Sequence, residues 1–140
     1  MIEIRPHSRS EEVCNMSDKG VLILGVETSC DETSIAVVQN GRQVMANLVA
    51  SQVMVHERFG GVVPEVASRK HIEVIASLLD EVWKQGGIRP EEIDAVAVTN
   101  TPGLIGALLV GLSFAKAWAY GMGKPLIGVN HLEAHVYANF

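Results

Sequence analysis

Residues 21–39 read VLILGVETSCDETSIAVVQ, and the fold turns on how this stretch divides. VLILGVE is an apolar run closed by one acid, which reads as a buried strand. TSIAVVQ is rich in β-branched residues and reads as its hairpin partner across a Ser29-Cys30-Asp31-Glu32 turn. Asn40-Gly41 follows, and because both residues tolerate positive φ a second hairpin leads into a third strand over residues 43–51. Phe59-Gly60-Gly61 then breaks the pattern, and Pro64 can open a helix. Ile72, Ile75, Ala76, Leu79, Val82 and Trp83 fall at helical spacing on one face of it, and Gly86-Gly87 ends it. A strand over residues 95–99, a helix from Pro102 to about Tyr120, a strand over residues 126–129 and a helix opening at His131 complete the chain. The order β-β-β-α-β-α-β-α joins a meander to two βα units and predicts an α/β fold with a mixed central sheet.

Composition bounds the function. The chain has 140 residues, 48% of them hydrophobic and 19% charged, which suits one globular domain. A net charge of −5 argues against this chain gripping nucleic acid by itself, since neutralising phosphates takes clustered Lys and Arg. Cys14 and Cys30 fit neither a zinc ribbon nor a disulfide framework, so a reducing, cytosolic setting is expected, with Cys30 a plain buried or turn thiol rather than a nucleophile. Residues 1–19 show no periodicity and no secretory pattern. They are expected to form a flexible leader, with Met16 as an alternative start. The apolar run over residues 104–115 is followed by Lys116 and is short for a membrane span, so it is expected to be a buried helix.

The strands over residues 21–27, 95–99 and 126–129 should run parallel, and ligands in open α/β sheets gather beyond the carboxyl ends of such strands. Polar residues follow all three. After the first come Glu27, Thr28, Ser29, Asp31 and Glu32; after the second, Asn100 and Thr101; after the third, Asn130, His131 and His135. In TNTPGLIGALLVG, Thr101 is placed to cap a helix whose first residue is Pro102. Gly103, Ala107, Gly111, Ala115 and Ala119 recur every four residues. That stripe reads as tight helix packing or as a helix N-terminus facing a phosphate. The acids of SCDETS read as solvated turn residues or as carboxylates that orient a nucleophile or a hydrated cation.

In NHLEAH, Asn130 would cap a helix that projects His131 and His135 from one face, a spacing that suits two ligands of one metal ion or a chance surface pair. Glu133 lies on the other side, and Leu132 stands where H-E-x-x-H proteases carry their general base. GGVVPEVASRKH reads as a loop and helix cap, with a lid carrying Glu65 or Arg69 as the alternative.

Four strings in order, LGVETSCDETSIAVV, FGGVVPEVASRKHIE, TPGLIGALLVGLSFAKA and PLIGVNHLEAHVYA, resemble the N-terminal lobe of the TsaD family. These are tRNA threonylcarbamoyladenosine synthase subunits, formerly called O-sialoglycoprotein endopeptidases or M22 glycoproteases. The resemblance implies the sugar-kinase/actin-type ATPase fold, two ribonuclease-H-like lobes around a nucleotide cleft. Residues 20–140 would be the first lobe, and the second would be absent. It further implies a cytoplasmic enzyme moving the threonylcarbamoyl group from threonylcarbamoyl-AMP to N6 of the adenosine beside the anticodon of tRNA.

By position, His131 and His135 match two ligands of a divalent metal ion, Fe²⁺ or Zn²⁺, and Asp31 and Glu32 match catalytic acids. Ser29, Thr101, Gly103 and Asn130 fall near nucleotide or substrate, with ATP or the adenylate in the inter-lobe cleft. TsaB-like and TsaE-like proteins are the implied partners, with no membrane. The family commonly has Gly where this chain has Thr101. A TsaB-like scaffold lobe and a related carbamoyltransferase are the alternatives, and the displaced glutamate counts against a metalloprotease.

Overall fold

The computed structural model describes residues 20–140, so the expected leader, with Cys14 and Met16, lies outside the described residues. Five strands form one sheet in the order β3-β2-β1-β4-β5. β1 (Leu22–Glu27), β2 (Glu32–Gln39) and β3 (Gln43–Ser51) make the antiparallel meander. β4 (Ala95–Thr101) adds in parallel beside β1, and β5 (Leu126–Asn130) in parallel beside β4. The hairpin signal at Asn40-Gly41 is realised with both residues left-handed, φ 52° and 69°.

Alternation sets the core. In β1, Leu22, Leu24 and Val26 point to one face, where Leu24 pairs with Val37 on one side and Val96 on the other. Against that face lie α2 (Pro64–Gly86), over β2 and β3, and α3 (Ile105–Met122), over β4 and β1. Ile75, Leu79 and Val82 from α2, with Ala115 and Ala119 from α3, close the core over Leu24, Ile35, Val37, Val96 and Val98. A short helix α1 (Val53–His56), two 3₁₀ turns at Glu57–Phe59 and Pro90–Glu92, and α4 (His131–Tyr137) complete the order.

Three expectations need correction. The buried stripe of α2 runs through Ala67, His71, Ile75, Leu79 and Val82, so Ile72 and Ala76 face outward. The apolar spacing was ambiguous by one position because a polar residue, His71, belongs to the core face. Next, Thr101 does not cap α3: it is still extended and pairs with Asn130 in the ladder, after a register shift. The Thr101–Pro102 peptide is cis, and α3 begins only at Ile105, with Leu104 at the cap position.

Third, α3 is not buried all round. Its small-residue face, Ala107, Gly111, Ala115 and Ala119, lies on the sheet, while Ile105 and Leu109 are exposed. Ile72, Ile75, Leu109, Val110, Ser113 and Phe114 line an apolar groove of about 410 Å³ between α2 and α3. The 18 residues of α3 have a mean hydropathy of 1.3, enough by length and composition to cross a membrane. A helix seated on a sheet by alanine and glycine passes the same test as a core helix.

Candidate active site

The three parallel strands end on one edge of the sheet, and their polar residues meet there. Glu27, the last residue of β1, is the hub. Its Oε1 accepts from the Ser29 backbone N–H, and its Oε2 accepts from the Thr99 hydroxyl of β4. The same Oε2 lies 3.1 Å from His131 Nδ1 at the start of α4. One carboxylate therefore ties the β1 turn, β4 and α4 together. Burial alone would raise the Glu27 carboxyl. Hydrogen bonds from the Ser29 side chain, Thr99, the Ser29 backbone and His131 outweigh it and hold the group below the usual carboxylate range.

α4 is positioned by its cap. Asn130 Oδ1 accepts from the N–H groups of Leu132 (2.9 Å) and Glu133 (3.2 Å), satisfying two free donors of the first turn. His131 and His135 then stack one turn apart, edge to face, with ring centroids 4.5 Å apart and Nε2 atoms 3.1 Å apart. Leu132 and Glu133 are exposed, and neither takes the place of a zinc-protease base.

Two imidazole nitrogens on one tetrahedral zinc, each about 2.0–2.1 Å from the metal, lie ~3.3 Å apart. The observed gap is close to that, so the pair fits two positions of such a site. Among the described residues no group of three or more His, Cys, Asp and Glu is arranged to hold a metal ion, so further ligands would have to come from elsewhere.

Close backbone approach assembles the rest of the edge. A Cβ on Gly103 would lie 2.6 Å from Ser29 O and 2.9 Å from Ser29 Cβ, so only glycine lets the loop after β4 lie against the β1 turn. There the Leu104 N–H donates to Ser29 O at 2.8 Å. Behind it the buried Thr28 hydroxyl donates to Ala107 O at 2.8 Å, and Gly111 leaves room for the Thr28 side chain. Ser29 Oγ lies 3.2 Å from His131 Nδ1.

The expected residues therefore divide. Ser29 and His131 meet at Glu27, while Gly103 packs on Ser29, Asn130 caps α4 and His135 lies against His131. Asp31, half-buried in the turn, and Glu32, exposed at the start of β2, lie beside the cluster, whose hydrogen bonds run through Glu27 rather than through them. Thr101 is exposed at the end of β4. Sequence reasoning had counted Glu27 only among the polar residues after β1 and had not singled out Thr99. Glu27 ends β1 and Thr99 follows the apolar run of β4, and a polar group after an apolar run was the available signal.

A second polar network lies beneath the β1–β2 turn. His71 Nε2–H donates to Cys30 O (3.0 Å), so Nδ1 accepts, from Thr33 Oγ1 (2.7 Å) and Gln52 Nε2 (3.4 Å). Gln52 Oε1 accepts from His56 Nε2–H (3.1 Å), and His56 Nδ1 accepts from the Val63 N–H (3.3 Å). The loop before α2 is thereby tied to the turn that carries Asp31. Ser68 sits over Gly106 at the α2–α3 crossing, and Lys70 pairs with Glu73 at 2.6 Å on the exposed side of α2. Burial and the adjoining Asp31 push the Cys30 thiol up, which disfavours a thiolate.

Burial pushes the His71 imidazole below its ordinary value of 6.5, against the Cys30 carbonyl and the Glu27 and Asp31 carboxylates, which favour the cation; His56 adds to the lowering. The sign of the consequence follows by linkage. Above pH 6.5 both folded and unfolded chains carry this imidazole neutral, and its contribution to stability is complete. Below that pH the unfolded chain binds the proton first, so stability falls until the folded value is passed. Urea midpoints are expected to drop between pH 7.5 and pH 5.5, and less steeply in His71→Gln. Equal slopes for the two proteins would contradict this. The Glu27 contribution is lost only lower, as pH falls below the ordinary carboxylate value of 4.5 and through the lowered folded one.

The architecture is a ribonuclease-H-like fold of the kind found in the lobes of sugar kinases and actin. Two solved structures share it: YeaZ from Pseudomonas aeruginosa (TM-score 0.58, 17% identity, 79% of this chain and 43% of that one), and Thermus thermophilus RuvC in complex with a Holliday junction substrate (TM-score 0.51, 14% identity, 80% and 66%). At these identities the likeness concerns the fold. Residues 43–140 match the family model "TsaD: tRNA N6-adenosine threonylcarbamoyltransferase", and the chain belongs to that family. Curated relatives named tRNA N6-adenosine threonylcarbamoyltransferase include those of Syntrophomonas wolfei, 62% identical over 119 residues, and Clostridium botulinum, 59% identical over 122. The matches take in 85% and 87% of this chain but 35% and 36% of the relatives, so it spans about a third of their length.

Proposed function

We propose that this chain is the N-terminal lobe of a cytoplasmic transferase that moves the threonylcarbamoyl group from threonylcarbamoyl-AMP to N6 of the adenosine beside the tRNA anticodon. One observation carries the reading in a chain of this family: His131 and His135 present their Nε2 atoms to each other at the sheet edge where three polar strand ends converge. In the proposed site these two nitrogens would hold Fe²⁺ or Zn²⁺, with the remaining ligands contributed from outside the residues described. When bound, the ion supplies Lewis-acid chemistry toward the acyl-adenylate.

The chain's own residues do the rest. Asn130 holds α4 so that both rings face the cleft, where ATP or the adenylate would lie. The N6 amino group attacks the carbamoyl carbon, AMP departs, and the proton lost from nitrogen passes to a carboxylate, the role given to Asp31 or Glu32 on the neighbouring turn. Thr101 and Gly103 form the wall beside the nucleotide. With a net charge of −5, this lobe leaves the main grip on tRNA to other parts of the assembly, TsaB-like and TsaE-like partners among its members.

The test is an exchange. The matched 119-residue segment of the Syntrophomonas wolfei relative is replaced by its counterpart from this chain, and transfer to tRNA is assayed with the partner proteins supplied. Transfer activity is expected. A folded but inactive exchange protein would count against the reading.

A further inference from the structure

His131 has two ring nitrogens, and only one can face His135. Nδ1 points back into the sheet edge, 3.1 Å from Glu27 Oε2 and 3.2 Å from Ser29 Oγ; Nε2 points outward, 3.1 Å from His135 Nε2. An ionised carboxylate accepts hydrogen bonds and donates none. The proton of a neutral His131 therefore belongs on Nδ1, and Nε2 is left with its lone pair exposed. In the metal-free pair His135 Nε2–H must then be the donor to His131 Nε2.

We propose that Glu27 is the positioning residue of this site: it fixes His131 in the Nδ1–H tautomer and sets the ring plane so that Nε2 is presented as a metal ligand. The inference rests on the metal reading given above and deepens it. Metal-binding histidines are commonly held in this way, by a carboxylate on the ring nitrogen that faces away from the ion. Here the carboxylate is itself fixed from two further elements, by the Ser29 N–H on the β1 turn and by the Thr99 hydroxyl on β4. That double anchorage is what a device for orienting a ring requires, because a carboxylate free to rotate would not hold an imidazole plane.

The pair also assigns Glu27 and the turn acids separate tasks. Asp31 and Glu32, beside the cleft, stay available to substrate. Glu27 touches the histidine and works through it.

The tautomer is read on the 140-residue chain, and zinc affinity, with Zn²⁺ alone as the probe, on the exchange protein, where the ligands from outside this chain are present. The tautomer of His131 is read from its ring ¹⁵N shifts in metal-free protein, well above the imidazole titration range, and zinc affinity from competition with a chromophoric chelator. The unaltered chain is expected to show Nδ1–H at His131. Glu27→Ala should move the population toward Nε2–H and weaken zinc binding by roughly 10–100-fold. Glu27→Gln retains a carbonyl acceptor and should restore part of both.

Should Glu27→Ala fail to fold, Thr99→Val removes one anchor of the carboxylate and should shift both readouts in the same direction by less. An Nδ1–H signal and zinc affinity unchanged in the folded variants would overturn Glu27's role. Absence of zinc binding by the unaltered exchange protein would instead overturn the metal reading itself, and with it the purpose assigned to the pair.

Discussion

Alanine at both His131 and His135 in the exchange protein is expected to remove its bound metal and to lower transfer on the order of 10²–10³-fold, the loss of several kcal/mol of Lewis-acid stabilisation. In the proposed site the two rings would supply adjacent positions of one coordination sphere, their nitrogens being 3.1 Å apart. A site that keeps only the ligands from outside this chain would hold zinc or iron poorly. The fold should survive, because His135 is exposed, His131 only partly buried, and neither belongs to the hydrophobic core. Metal content, thermal midpoint and transfer rate are therefore measured on one sample. A metal-free, folded, slow enzyme is expected. Full transfer without the histidines would remove the site from the chemistry and leave this chain a scaffold.

Gly103→Val should destabilise the chain by about 3 kcal/mol, the upper part of the range for overpacking. The first added atom meets the Ser29 carbonyl oxygen at 2.6 Å and Leu108 Cγ at 3.1 Å. A backbone oxygen cannot swing aside as a side-chain tip would. Either the loop lifts off, breaking the Leu104 N–H to Ser29 O bond of 2.8 Å, or the turn after β1 shifts and carries Ser29 away from Glu27 and His131. For a chain of this size the thermal midpoint should fall by roughly 10 °C or more. The site should loosen with it, so zinc affinity drops in parallel. An unchanged midpoint would mean that the loop does not depend on this close approach.

The sheet was legible because period-two alternation and the Asn40-Gly41 turn are strong local signals. The parallel strand ends then fixed which polar residues share an edge. The cap at Asn130 and the histidine pair were equally local, four residues apart on one helix. Two things were not. The start of α3 was placed three residues early because a Thr-Pro step imitates a cap, whereas the ladder from Thr99 through Thr101 to Asn130 keeps that backbone extended, and ladders are settled between strands distant in sequence. Glu27 looked like one of several acids after an apolar strand, since its neighbours Thr99 and His131 lie 72 and 104 residues away. His71 was hidden for a related reason. A polar residue on a core face breaks the apolar period unless its partners, here Cys30, Thr33 and Gln52, are known.

The most direct measurement is the rate at which the exchange protein places threonylcarbamoyl on tRNA adenosine, compared with the same protein carrying His131→Ala and His135→Ala. Transfer by the first, with loss of both metal and transfer in the second, is the result expected if this sheet edge contributes two ligands to a TsaD-type site. Equal rates in the two proteins, with or without bound metal, would contradict it.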